Sequence, residues 1–174
     1  WWRDYALSVR EYLTILQEGI KSRWIDVHEN QGKRDGAYSG GCYGTPPYIL
    51  LNYQGNLESL FTLAHELGHS MHSYYSRKYQ PYVNAHYTIF VAEVASTLNE
   101  ALLNHFLMEK AKSKLEKMYL INHQLEDFRG TFFRQTMFAE FEKWIHEQVE
   151  EGEALNHEKL SYKDLRFYIR PTNY

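Results

Sequence analysis

The sequence predicts a mostly α-helical globular domain that carries a small β element. Helical spacing of apolar residues recurs over long stretches near 3–20, 57–77 and 87–150. One short apolar run, "YILLNY" at 48–53, is bounded by Pro47 and Gly55 and reads as a strand. Between the first helical stretch and that strand lies 28–47, rich in glycine and ending in two prolines, the composition of a long loop.

Each element has its own signal. In the first stretch Tyr5, Leu7, Val9, Tyr12, Leu13 and Leu16 are spaced as in an amphipathic helix, and Gly19 is placed to loosen its end. Asn56 is positioned to cap a helix running from Leu57 to about Arg77, and Pro81 marks the break after it. Another helix is expected from about Tyr87 to Lys110. A further one is expected from about 113 to 150, with a kink near Gly130. "EEGEAL" is a loop, and Ser161 with Asp164 resembles a capping box for a short last helix.

Composition excludes several classes. In 174 residues, 44% are hydrophobic and 24% charged, a globular balance with enough chain for a core. The net charge of −3 gives no attraction to nucleic acid or to an anionic membrane. No apolar run is long enough to span a bilayer. The single cysteine, Cys42, permits no internal disulfide and fits a reducing compartment. The chain opens without Met and already in helical rhythm, so it reads as a piece of a longer protein.

The chemistry concentrates in "FTLAHELGHSMHSYY", 61–75, which contains His65-Glu66-Leu67-Gly68-His69. Two histidines four apart lie one turn apart on one helical face. On a helical wheel Leu60, Ala64, Leu67 and Met71 form the expected core face. His65 and His69 then fall on its flank and Glu66 beside them. Such a pair can hold one metal ion with a carboxylate base next to it. The motif arises by chance in roughly one chain in twenty of this composition, so the pair alone is not decisive.

A catalytic zinc takes three protein ligands. "FVAEVASTLNEALL" supplies Glu93, set among Ile89, Phe90, Val91, Val94 and Leu98, where a carboxylate is costly unless paired or bound to a metal. Ligating histidines give their other ring N–H to a carboxylate or carbonyl. Glu100, seven after Glu93, and Glu58, seven before His65, are the candidates for that part. Glu58 equally suits the dipole of a first helical turn. His72 is read as a surface residue that could touch substrate, and His86 extends the stripe of Glu93. His28, His105, His123, His146, His157 and Cys42 are read as ordinary packing or surface residues.

With "HELGH", then "VAEVAS" on a following helix, and "GAYSGG" and "PYILLNY" ahead of both, the chain resembles the M3 family of zinc oligopeptidases, in its oligopeptidase F branch. The resemblance covers about 1 to 150. It implies a zincin-like catalytic core, internal cleavage of short peptides and a cytoplasmic setting. It maps one zinc ion onto His65, His69 and Glu93, and the general base that activates the attacking water onto Glu66. It makes Tyr48, Ile49, Leu50, Leu51, Asn52 and Tyr53 an edge strand along which the substrate backbone pairs.

There is one departure. The family carries, C-terminal to this region, a His followed by a Tyr- and Gly-rich segment that stabilises the oxyanion, and "LRFYIRPTNY" does not match it. The family's N-terminal helical lobe is also without a counterpart. The expectation is therefore a single zincin-like catalytic stretch over 1–174, binding zinc and short peptides. Alternatives are a zinc-binding core with little activity, or a related helical zincin carboxypeptidase. Apolar surface left uncovered would favour self-association.

Overall fold

The computed structural model describes residues 2–157 and 159–160. The Ser161–Asp164 capping box and the helix expected after it lie outside the described residues. The chain divides into two compact units, 1–110 and 111–174.

The first unit holds helix α1 (Trp2–Lys21), strands β1 (Ile25–Asp26), β2 (Tyr38–Gly40) and β3 (Tyr48–Leu50), then helix α2 (Leu57–Tyr79), a 3-10 turn at Tyr82–Asn84 and helix α3 (Ile89–Lys110). Helix α1 does not loosen at Gly19. A Cβ there would come within 2.4 Å of the Trp24 ring, so the glycine seats that indole against the helix. Trp24 joins Ile15 and Met71 in a small core, with Tyr12, Leu16, Ile25, Tyr74 and Tyr75 packed around it.

The sheet order is β1-β3-β2, with β1 parallel and β2 antiparallel to β3. The strand at 48–53 is therefore the middle strand, which corrects its reading as an edge. Its regular part is Tyr48–Leu50, and the Leu51 and Tyr53 amides extend the ladder to the Asp26 and Val27 carbonyls at 2.9 and 3.0 Å. A short apolar run looks the same at the edge or the centre of a sheet, since both need an inward face. What decided it was the loop 28–47, which folds back to supply β2. Gly36 (φ +82) and Gly41 (φ +142), flanking β2, take backbone angles that other residues avoid. The Asn52 amide pins this loop by donating to the Arg34 and Gly36 carbonyls, both at 2.9 Å.

Helix α2 begins as expected, with Asn56 Oδ1 accepting from the Ser59 amide at 2.8 Å. Its buried residues are Ser59, Phe61, Glu66, Gly68, Ser70 and Met71, so of the four-residue core face expected on the wheel only Met71 is buried. A single stripe describes a helix packed on one side. Helix α2 instead contacts α1, strands β2 and β3, and α3.

In the second unit, α4 (Lys114–Phe128), a π-helical turn (Arg129–Phe133) and α5 (Arg134–Glu150) follow without a break. The expected irregularity at Gly130 takes the form of that π turn. A capping box of Ser113 and Glu116 starts α4. Among the described residues no helix is long and apolar enough to cross a membrane.

Candidate metal centre

The centre is made where α2 crosses α3. A Cβ on Gly68 would lie 2.7 Å from both the Ala95 carbonyl oxygen and the Ser96 Cα. Only a residue with no side chain allows the two backbones this close, and Ser96 is fully buried at the crossing. The Asn99 side chain tightens the junction. It donates to the Ala64 carbonyl of α2 at 3.2 Å and accepts from the Tyr12 hydroxyl of α1 at 3.3 Å. One turn before Ser96, this crossing delivers Glu93 to the histidine pair.

His65 Nε2 and His69 Nε2 face each other at 3.0 Å. Glu93 Oε2 lies 3.4 Å from the first and 3.6 Å from the second. One donor atom from each of the three residues falls within 4.8 Å of the others. Two ligand atoms of a tetrahedral zinc, each bonded at about 2.05 Å, sit roughly 3.3 Å apart. Two imidazoles and a carboxylate converging at this spacing fit zinc in both donor type and separation. The Glu93 carboxylate is held in place by the Ser96 hydroxyl, which donates to Oε2 at 2.9 Å. The Glu93 side chain is 47% exposed, and Ile89, Phe90, Val91, Val94 and Leu98 around it are exposed too. Glu93 is therefore not buried among its apolar neighbours as expected, although it does reach the histidines. Sequence neighbours on a helix face all directions, so an apolar run does not by itself bury each member.

Two contacts orient the imidazole rings. His65 Nδ1 meets Glu100 Oε1, and this fixes the tautomer whose lone pair is on Nε2. The His69 ring donates to the Ala92 carbonyl. Burial draws the His65 imidazole down, but the Glu100 hydrogen bond and charge, with Glu66 and Glu93, carry it above its ordinary value. Burial and the neighbouring His65 hold His69 below its own. Glu58 is exposed in the first turn of α2, where the dipole favours it.

Glu66 departs from the wheel more than any other residue here. It is only 7% exposed. It accepts a hydrogen bond from the Ser39 amide of β2, while Oε2 is buried without a hydrogen-bond partner. Burial first, and then Glu93 and Glu100, raise its carboxyl above the ordinary range against the opposing pull of His65 and Ser39. Strand β2 is docked there by the Ser39 and Ser70 hydroxyls, 2.7 Å apart.

The residues missed by sequence reading are Gly68, Ser96, Asn99 and Ser39. Gly68 carried a usable signal, because glycine inside a helix costs about 1 kcal/mol against alanine and so implies a close approach. Ser39, inside a loop composition, carried none. His72, read as a surface residue, stacks on Tyr87 with its Nδ1 buried and without a hydrogen-bond partner. His105 Nε2 and His123 Nδ1 lie 3.4 and 2.9 Å from carboxylate oxygens of Glu109 and Asp127, one turn on.

The model of peptidase family M3 matches residues 3–170. The chain belongs to peptidase family M3. Oligopeptidase PepF of Bacillus subtilis (strain 168) is 59% identical over 170 residues, covering 94% of this chain and 25% of the relative. The chromosomal oligoendopeptidase F of Lactococcus lactis subsp. cremoris is 52% identical over 156 residues, covering 90% and 26%. A crystal structure from Chlamydophila abortus, described as that of a peptidase, shares 47% identity and superposes with a TM-score of 0.71 over 90% of this chain and 27% of its own. The chain thus spans about a quarter of the length of the M3 relatives it matches.

Proposed function

We propose that this stretch is the metal-binding core of a zinc oligopeptidase, in which His65, His69 and Glu93 hold one zinc ion and Glu66 is the general base. The observation that carries the reading is the meeting of two imidazole Nε2 atoms and Glu93 Oε2 at one point, with the unpartnered Oε2 of the buried Glu66 close by on the same helix.

A zinc ion held by these three residues would supply Lewis-acid chemistry, polarising a carbonyl and lowering the pKa of water toward about 7. Glu66 Oε2 takes the proton of the attacking water and later returns it to the leaving amine. Its other oxygen is fixed by the Ser39 amide, so the base turns little during transfer. Glu100 keeps His65 in the ligating tautomer. Among the described residues the outer edge of β2 pairs with no strand, and its Ser39 lies beside the base. We therefore place backbone pairing of an extended peptide on Tyr38–Gly40 and not on 48–53.

Short peptides cut internally are the substrate class, in a cytoplasmic setting that the single exposed Cys42 suits. Zinc content per chain, with mass analysis of the products from a quenched peptide, tests the reading. Release of single C-terminal residues would move the assignment to a carboxypeptidase, and failure to bind zinc would end it. A second reading rests on the quarter share of the relatives' length: that 1–174 holds the metal as part of one catalytic domain but cleaves weakly by itself. The exposed Ile89, Phe90, Val94, Leu98, Leu102 and Phe106 of α3 support self-association in that case. Activity per bound zinc, beside a chain extended over the rest of the relatives' length, separates the two.

A further inference from the structure

His65, His69, Ser73 and Arg77 follow one another at four-residue intervals along α2. Beyond the metal-binding pair this row runs into a cleft of about 520 Å³, lined by Gly41, Tyr43, Ser73, Arg77, Tyr82 and Tyr87 among others. Tyr43 and Tyr82 meet edge to face across it, and Ser73 Oγ meets the Tyr87 hydroxyl.

Among the described residues Arg77 is the one lysine or arginine lining that cleft, with His86 also on its wall, and it is poorly satisfied. Among the described residues one of its five N–H donors has a hydrogen-bond partner, Nη2 to the Gly41 carbonyl at 2.8 Å. Nη1 is buried and has no hydrogen-bond partner. Gly41 closes over it so tightly that a Cβ there would lie 3.0 Å from Nη1. Among the described residues no carboxylate stands within ion-pair distance of this guanidinium, whereas the adjacent Lys78 is paired with Glu11 at 2.6 Å. A half-buried guanidinium left without an anion is costly, and it is the side chain best shaped to bind a carboxylate.

We propose that Arg77 is a specificity residue that binds a carboxylate of the peptide substrate. Arg77 lies eight residues after His69, about 12 Å along the axis at 1.5 Å per residue. That is the span of three to four residues of extended peptide at roughly 3.3 Å each. A peptide lying along β2 over the metal-binding pair reaches the cleft through Gly41, which directly follows that strand. The carboxylate is either the peptide's C-terminus or an Asp or Glu side chain. The proposal rests on the peptidase reading, since it takes the ligand to be a peptide crossing His65 and His69.

Binding, not turnover, is the test. The zinc-loaded chain carrying Glu66→Gln is titrated by calorimetry with an acetylated neutral peptide amide, the same peptide as its free acid, and the amide with one Gln replaced by Glu. At least one of the two acidic forms should bind about 10- to 100-fold tighter than the neutral amide, the range of a hydrogen bond to a charged group. Which one does so identifies the source of the carboxylate. Arg77→Gln should abolish the difference among the three peptides, and Arg77→Lys should keep part of it. The comparison among peptides stands even if the Arg77 variants loosen the Gly41 loop. Equal binding of all three peptides, or binding of none, overturns the proposal. An acid preference in this chain, with no hydrolysis even by a wild-type chain extended over the rest of the relatives' length, would refute the peptidase reading and leave the carboxylate site standing.

Discussion

Gly68 and Ser96 touch backbone to backbone: a Cβ on Gly68 would stand 2.7 Å from the Ser96 Cα. The same Ser96 donates its hydroxyl to Glu93 Oε2 at 2.9 Å. The close crossing of two helices and the aim of the carboxylate between two histidines are therefore one structural fact.

Gly68→Ala tests this contact with an unusual sign. In a helix interior alanine is normally favoured over glycine by about 1 kcal/mol. Here the added methyl meets backbone atoms that cannot rotate away, so overpacking of about 1–3 kcal/mol should win. The variant should melt lower than the wild type and bind zinc more weakly. A raised melting temperature with unchanged zinc affinity would show that the crossing is looser than described.

Glu93→Gln should separate metal binding from folding. The Glu93 side chain is half exposed and packs in no core, so stability without metal should change by less than about 1 kcal/mol. Zinc per chain, measured after dialysis at matched free zinc, should drop sharply. Full zinc retention would remove Glu93 from the ligand set.

Glu66→Gln should do the reverse. Its carboxylate lies outside the point where the three donor atoms meet. Zinc content should stay at about the wild-type level. Peptide hydrolysis by a chain extended over the full length of the relatives should fall by at least about 10²-fold, the low end for acid–base catalysis. An active variant would assign the base elsewhere.

Glu100→Gln removes the charge that meets His65 Nδ1 but keeps most of the shape. Zinc affinity should fall by about 10- to 100-fold, read by competition with a chromophoric chelator. Glu58→Gln, at an exposed first-turn position, should stay within about twofold of the wild type. Equal losses in both variants would mean that overall negative charge, and not the contact to His65, sets the affinity.

The legible part of this protein was its local geometry. Four-residue spacing on a helix places His65 and His69 together whatever surrounds them. Asn56 caps α2 through atoms three residues away, and Pro81 stops it through its own ring. Glu93 was singled out for the wrong reason, since its apolar neighbours are exposed and its place comes from Gly68 and Ser96.

By itself, then, the sequence determined that two imidazoles and a carboxylate would share one helix, because period and capping act over a few residues. Tertiary structure alone decided that Glu66 is buried with one oxygen lacking a hydrogen-bond partner, that 48–50 lies at the centre of its sheet, and that Arg77 faces a cleft with no carboxylate among the described residues lining it. Each of those outcomes depends on a segment distant along the chain: β2 over Glu66, β1 and β2 on either side of β3, and the Gly41 loop against Arg77. Which distant segments meet is set by the packing of the whole unit, and no local periodicity encodes it.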